Sequence, residues 1–175
     1  METNHTTTLL RHFNETIEVW ITYLNDYTLE MLCRKPREDA WSLGQVYLHI
    51  IADTTFFYEQ MKAALVDNVN HDKAMHKHAK AMFAKNDFPD MLVENPSNDP
   101  YSRQPQNKEE LLQGLLRVKQ AVNTLYAANP SPAGGKTEHP GLLFFSSLEW
   151  LQFAEMHMRH HLRQKKRIDE QLFPG

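Results

Sequence analysis

The residues of this chain best suited to chemistry are its histidines, ten in 175 residues, and their spacing is uneven. Three of them, His157, His160 and His161, fall within the stretch EMHMRHHLRQKKRI, residues 155–168. On a helix, His157 and His161 form an H-x3-H pair. It sets two imidazoles one turn apart on one face, a spacing that can chelate a divalent ion. A third imidazole from a facing helix would complete a set and leave positions open for water or substrate, as catalytic sites do more than closed structural ones. His49 is the natural third ligand. Cys33 is the only cysteine, so neither an intrachain disulfide nor a Cys-based zinc site can be built. An imidazole set without thiolates suits Zn²⁺ or Ni²⁺, and affinity order alone does not choose between them.

Whether these histidines can meet depends on the elements that carry them. Four segments have helical periodicity and none alternates as a strand would. The first runs from about Thr7 to Leu32, with Phe13, Ile17, Trp20, Leu24, Tyr27 and Met31 at three- and four-residue steps, and Pro36 ends it. The second opens on the capping box Ser42–Gln45 and runs to roughly Val69; the third runs from Asn107 to the Asn129-Pro130 break. The fourth opens on a second capping box, Ser146–Glu149, and continues to about Leu172, before Pro174-Gly175. Residues 130–145 read as a Pro/Gly loop. Residues 71–106 read as a long link that begins with a helical continuation and ends in coil. Together these predict one all-α domain over residues 1–175, a four-helix bundle with a long helix 2–3 connection.

A helical wheel of about 100° per residue assigns the faces. In the fourth helix Trp150, Phe153, Ala154, Ile168 and Leu172 lie within roughly 60° of His157, and His161 stands at about +40°. Gln164 shares this apolar arc and His160 sits at its edge, while Arg159, Arg163 and Lys166 point away. In the second helix His49 lies beside Val46, and Asp53 and Gln60 fall inside the stripe. Polar groups in a core stripe cost roughly 1–3 kcal/mol each unless bonded or ligating. Metal ligation is one way to satisfy them. The other is plain hydrogen bonding between helices, with Asp53 or Gln60 as partner to a buried histidine. In the metal reading Asp53 and Gln164 are candidates for supporting the ligands or transferring protons.

The bulk numbers exclude other classes. A net charge of −3 argues against nucleic acid as partner, since the basic run near the C-terminus is balanced elsewhere. No apolar run approaches the roughly 20 residues that cross a bilayer, and the N-terminus has no signal-peptide core. A cytoplasmic, non-membrane protein is expected.

Two stretches resemble the DinB/YfiT-like superfamily of four-helix-bundle metalloenzymes. WSLGQVYLHIIAD, residues 41–53, is similar to the family's Trp-(Ser/Thr) helix start, with a ligand histidine eight residues after the tryptophan, here His49. HPGLLFFSSLEWLQFAEMHMRHHLRQKKRI, residues 139–168, is similar to its last helix, with Glu-Trp followed by H-x3-H, here His157 and His161. The resemblance implies an up-down-down-up bundle, one divalent ion held by three histidines, and frequently a homodimer. It implies a small-molecule substrate of unknown identity and either hydrolysis or thiol-dependent S-transfer. The alternative is a non-catalytic bundle dimer whose histidines are structural or bind metal without turnover.

Other candidates read more plainly. His71, His76 and His78 suit a solvated helix end. Cys33, beside Arg34 and Lys35, would have a lowered pKa if those charges faced it. Arg159, Arg163, Lys165, Lys166 and Arg167 are expected to form a solvated face that complements the helix C-terminus. His139, before Pro140, could reach the mouth of the site.

Overall fold

In the computed structural model, which describes residues 2–89 and 99–174, the elements follow in order. They are α1 (Glu2–Tyr23), a short α2 (Leu29–Cys33), α3 (Leu43–Ala63), α4 (Lys77–Lys85), α5 (Lys108–Ala128), the strands β1 (Thr137–His139) and β2 (Leu143–Phe145), and α6 (Ser147–Leu172). Three of the long helices start where capping residues stand. Ser42 Oγ accepts from the Gln45 amide while the Gln45 side chain accepts from the Ser42 amide, and Ser146 and Glu149 do the same at α6. Asn107 Oδ1 accepts from the Glu110 amide at α5. Each device satisfies amide groups that a helix start leaves without partners.

The apolar stripes converge on one core. Phe13, Ile17 and Trp20 of α1, Val46, Ile50 and Met61 of α3, Leu111, Leu115 and Val122 of α5, and Trp150 and Phe153 of α6 are all buried. In this bundle α6 packs on α1 and α3, and α5 packs on the same two helices. Cross-helix pairs give the directions. Thr16–Glu155 and Tyr27–Asp169 run α1 and α6 parallel, whereas Asn14–Asn123 and Glu18–Lys119 run α1 against α5. His49 meets His161 and Phe57 meets Trp150, so α3 opposes α6. The bundle is therefore up-down-down-up. Because α3 and α5 point the same way, the chain between them must travel back along the bundle, which accounts for the long link. α4 lies within it. The middle of the expected coil, residues 90–98, and Gly175 lie outside the described residues.

Four expectations need correction. The first helix does not run unbroken from Thr7 to Leu32. It begins at Glu2, tightens into a 3₁₀ turn at Leu24–Asp26 and breaks at Tyr27, whose φ of −119° and ψ of 140° are extended. Tyr27 leaves the helix to donate its hydroxyl to Asp169 at 2.7 Å, and Thr28 recaps α2 by accepting from the Met31 amide. The second helix stops at Ala63, not Val69. Residues 67–69 instead give carbonyls to the 135–136 segment, Gly135 N to Asp67 O at 2.6 Å and Lys136 N to Val69 O at 2.8 Å. A Cβ on Gly135 would stand 2.1 Å from Val69 O, so only glycine permits that approach.

The loop over 130–145 contains a small antiparallel hairpin, Thr137 opposite Phe145 and His139 opposite Leu143. Its strands are too short for alternation to register. The basic run, finally, is not one solvated face. Lys165 is buried, its ammonium 3.8 Å from the Tyr23 ring centroid and 2.7 Å from Asp169. Arg159 and Arg163 hold Asp87 at the end of α4, and Arg159 also bonds the buried Glu155. Lys166 remains exposed.

Candidate metal centre

α3 and α6, antiparallel and in extensive contact, carry the three histidines to one point. Ligand nitrogens of His49, His157 and His161 all lie within 4.8 Å of one another. His157 Nε2 and His161 Nε2 are 3.2 Å apart. Ring centroids stand 5.2 Å apart for His49–His157 and 4.8 Å for His49–His161. Both α6 histidines are buried at the centre of the apolar arc, as the wheel predicts.

The surroundings are aromatic. Phe57 lies edge-on to His157 at 5.4 Å, Phe88 approaches it at 6.0 Å, and Trp41 packs on His49 at 4.9 Å. Burial in this cage disfavours the imidazolium form. It lowers His49 to about 4 and His161 to about 3, and holds His157 well below its ordinary value, with the neighbouring histidines adding to the effect. Neutral imidazoles keep the lone pairs that a metal needs.

Gln164, one turn beyond His161, fixes a tautomer. Its Oε1 lies 2.7 Å from His161 Nδ1 and accepts the proton there, leaving His161 Nε2 bare and aimed at the cluster. Asp53 stands at the side, its Oδ2 3.5 Å from His49 Nε2 and 3.4 Å from His157 Nε2. Its side chain is 36% exposed, against 10% for His157, so the carboxylate marks the open side of the group. Partial burial raises its pKa to about 6.

The donor set fits a divalent ion. In a tetrahedral shell with Zn–N of about 2.0–2.1 Å, two ligand nitrogens stand roughly 3.3 Å apart. The His157–His161 separation is close to that edge, and the Asp53 contacts are of similar length. With His161 Nε2 bare, those two nitrogens share at most one proton, a place that a cation can take. If Gln164 orients His161, Gln164→Ala weakens zinc binding by about 10–100-fold while Gln164→Glu, which keeps an acceptor, restores most of it. Competition with a chromogenic chelator measures both.

The other candidates fall elsewhere. Gln60 is not part of the group. His139 stacks on Trp150 at 5.3 Å and meets Phe153, in the aromatic layer below the cluster and not at its mouth. His160 faces Phe88 at 5.5 Å and lies 3.2 Å from Arg163 Nη2. His76 caps α4 by accepting from the His78 amide, consistent with a helix end. Cys33 is half-buried beside Pro105, and burial raises its pKa, opposite to the expected lowering. Sequence reasoning missed Asp87 and Phe88. Arg163 and Arg159 grip Asp87, Arg163 Nη1 at 3.0 Å, and so place Phe88 over His157 and His160. The pairing spans 76 residues of chain, and no local pattern announces it.

The DinB superfamily model matches residues 12–164, most of the chain and all three histidines. The chain belongs to the DinB superfamily. No curated protein and no solved structure matches it. Membership in this superfamily agrees with the helical bundle and leaves the reaction open. Among the described residues, no helix of this DinB-superfamily chain is long and apolar enough to cross a membrane.

Proposed function

We propose that the chain is a metal-dependent enzyme, a hydrolase or a thiol-dependent S-transferase acting on a small molecule, with His49, His157 and His161 holding one Zn²⁺ or Ni²⁺ ion. The observation that carries this reading is the convergence of three neutral imidazoles in an aromatic cage with a carboxylate on its open side. Structural zinc sites close their shell with four protein ligands, whereas three ligands leave room for a reactant. A bound ion supplies Lewis acidity, acidifying a water or thiol or polarising a carbonyl.

The chain's own residues do the rest. Gln164 holds the His161 proton at Nδ1 so that Nε2 stays a donor of electrons. Asp53, at the His49–His157 edge, accepts the proton of the incoming nucleophile and later returns one to the leaving group. Phe57 and Phe88 keep bulk water off the His157 side. The same reading includes a homodimer in solution.

The test is a screen of zinc- and nickel-loaded protein with esters, amides, and electrophiles paired with a low-molecular-weight thiol. Turnover is expected in one of these classes, and Asp53→Asn keeps its metal while the rate falls by about 10²–10⁴-fold. Uniform inactivity of fully loaded protein would refute the catalytic reading and leave a metal-binding bundle without turnover.

A further inference from the structure

Next to the metal centre, between α3, α5 and residues 102–103, lies a cavity of about 530 Å³. Small-molecule sites usually span about 300–1,000 Å³. The cavity includes His49 itself and Trp41, whose ring packs on His49, so one part of it adjoins the centre. Its apolar lining includes Leu48, Ile51 and Ala52 of α3 and Val118 of α5. The helices come close here because position 114 is glycine. A Cβ there would stand 2.8 Å from Ile51 Cδ1.

The charged groups are unevenly matched. Arg103 Nη2 donates to Glu110 Oε1 at 2.5 Å, which neutralises both. Arg117, also on the wall, makes no hydrogen bond or ion pair among the described residues. Because α3 and α5 run parallel, Arg117, one turn past Gly114, lies toward Thr55, whereas His49 lies toward Gln45. An unmatched guanidinium and the metal centre therefore flank an apolar strip.

We propose that this cavity binds the substrate as an amphipathic carboxylate, with the carboxylate on Arg117, the apolar body along Ile51, Ala52 and Val118, and the reacting end at His49. Its identification as substrate rests on the metal-enzyme reading; the binding site itself does not. A guanidinium is suited to a carboxylate by its paired parallel donors, and the strip offers an alkyl or aryl chain apolar surface to cover.

Octanoate is the probe, with octan-1-ol as its uncharged counterpart, titrated into metal-free and zinc-loaded protein. Trp20 and Trp150 are fully buried in the core, so Trp41 fluorescence reports on the cavity. Octanoate is expected to bind saturably, and the exposed-site substitution Arg117→Gln to weaken it by about tenfold, the loss of a charged hydrogen-bonded contact, with octan-1-ol unaffected. The His49 ring resonances of the zinc-loaded protein shift on octanoate binding. Equal octanoate affinity in Arg117→Gln, or a fluorescence response that survives Trp41→Phe, overturns the site. Unmoved His49 resonances overturn its assignment to the centre. Arg117-dependent binding to a protein that takes up no zinc would keep the carboxylate site and sink the metal-enzyme reading. Zinc uptake without octanoate binding would do the reverse.

Discussion

Replacing His161 with alanine is expected to lower zinc affinity by more than about 100-fold, because loss of a mere supporting contact already costs about 10–100-fold. His161 is the member of the group with the most constrained geometry: its Nδ1 is held by Gln164 at 2.7 Å and its Nε2 lies 3.2 Å from that of His157. The variant leaves His49 and His157, which cannot define a three-point site. His160→Ala is the matched control. It removes a neighbouring imidazole that faces Phe88 and lies beside Arg163. Metal analysis of freshly purified protein and the two variants, with circular dichroism to check folding, should give wild-type zinc content for His160→Ala and almost none for His161→Ala. Equal content in all three would remove His161 from the ligand set.

A second large effect is expected at Trp150. Its ring is fully buried among Phe57, Phe145 and His139, and its Nε1 donates to Thr137 Oγ1 at 2.7 Å. It therefore ties α3, the hairpin and α6 together just below the histidines. Trp150→Ala removes a large core ring and leaves a cavity, at a cost of about 3–5 kcal/mol. For a domain of this size that lowers the melting temperature by roughly 10 °C. Trp150→Phe keeps one ring in place but loses the bond to Thr137 and part of the buried indole volume, so its cost should be smaller, about 1–3 kcal/mol. Thermal unfolding of metal-free protein measures both. A Trp150→Ala variant as stable as wild type would show that the hairpin and α6 do not depend on this layer.

Much of the centre was legible in the sequence because a helix converts spacing into direction. His157, His161 and Gln164 fall in one apolar arc with Trp150 and Phe153, and the capping boxes at Ser42 and Ser146 fix where the two helices begin. Those starts were read correctly because the bonds that make them are three residues apart. What escaped is what depends on distant chain. Tyr27 leaves its helix for Asp169, 142 residues on, and apolar periodicity does not register that choice. Arg159 and Arg163 lack a local partner because Asp87, which they hold, lies just past the end of α4 on distant chain, and Lys165 is covered by Tyr23 of α1. The wheel separates faces of one helix; it does not say what stands opposite them.

The proposed function places one divalent ion among His49, His157 and His161. Anomalous diffraction from zinc-loaded crystals, collected on both sides of the zinc absorption edge, tests it directly. One strong peak per chain is expected, about 2.0–2.1 Å from a nitrogen of each of the three histidines. A peak at His71, His76 and His78 instead, or no peak at the α3–α6 group in zinc-saturated crystals, would contradict it.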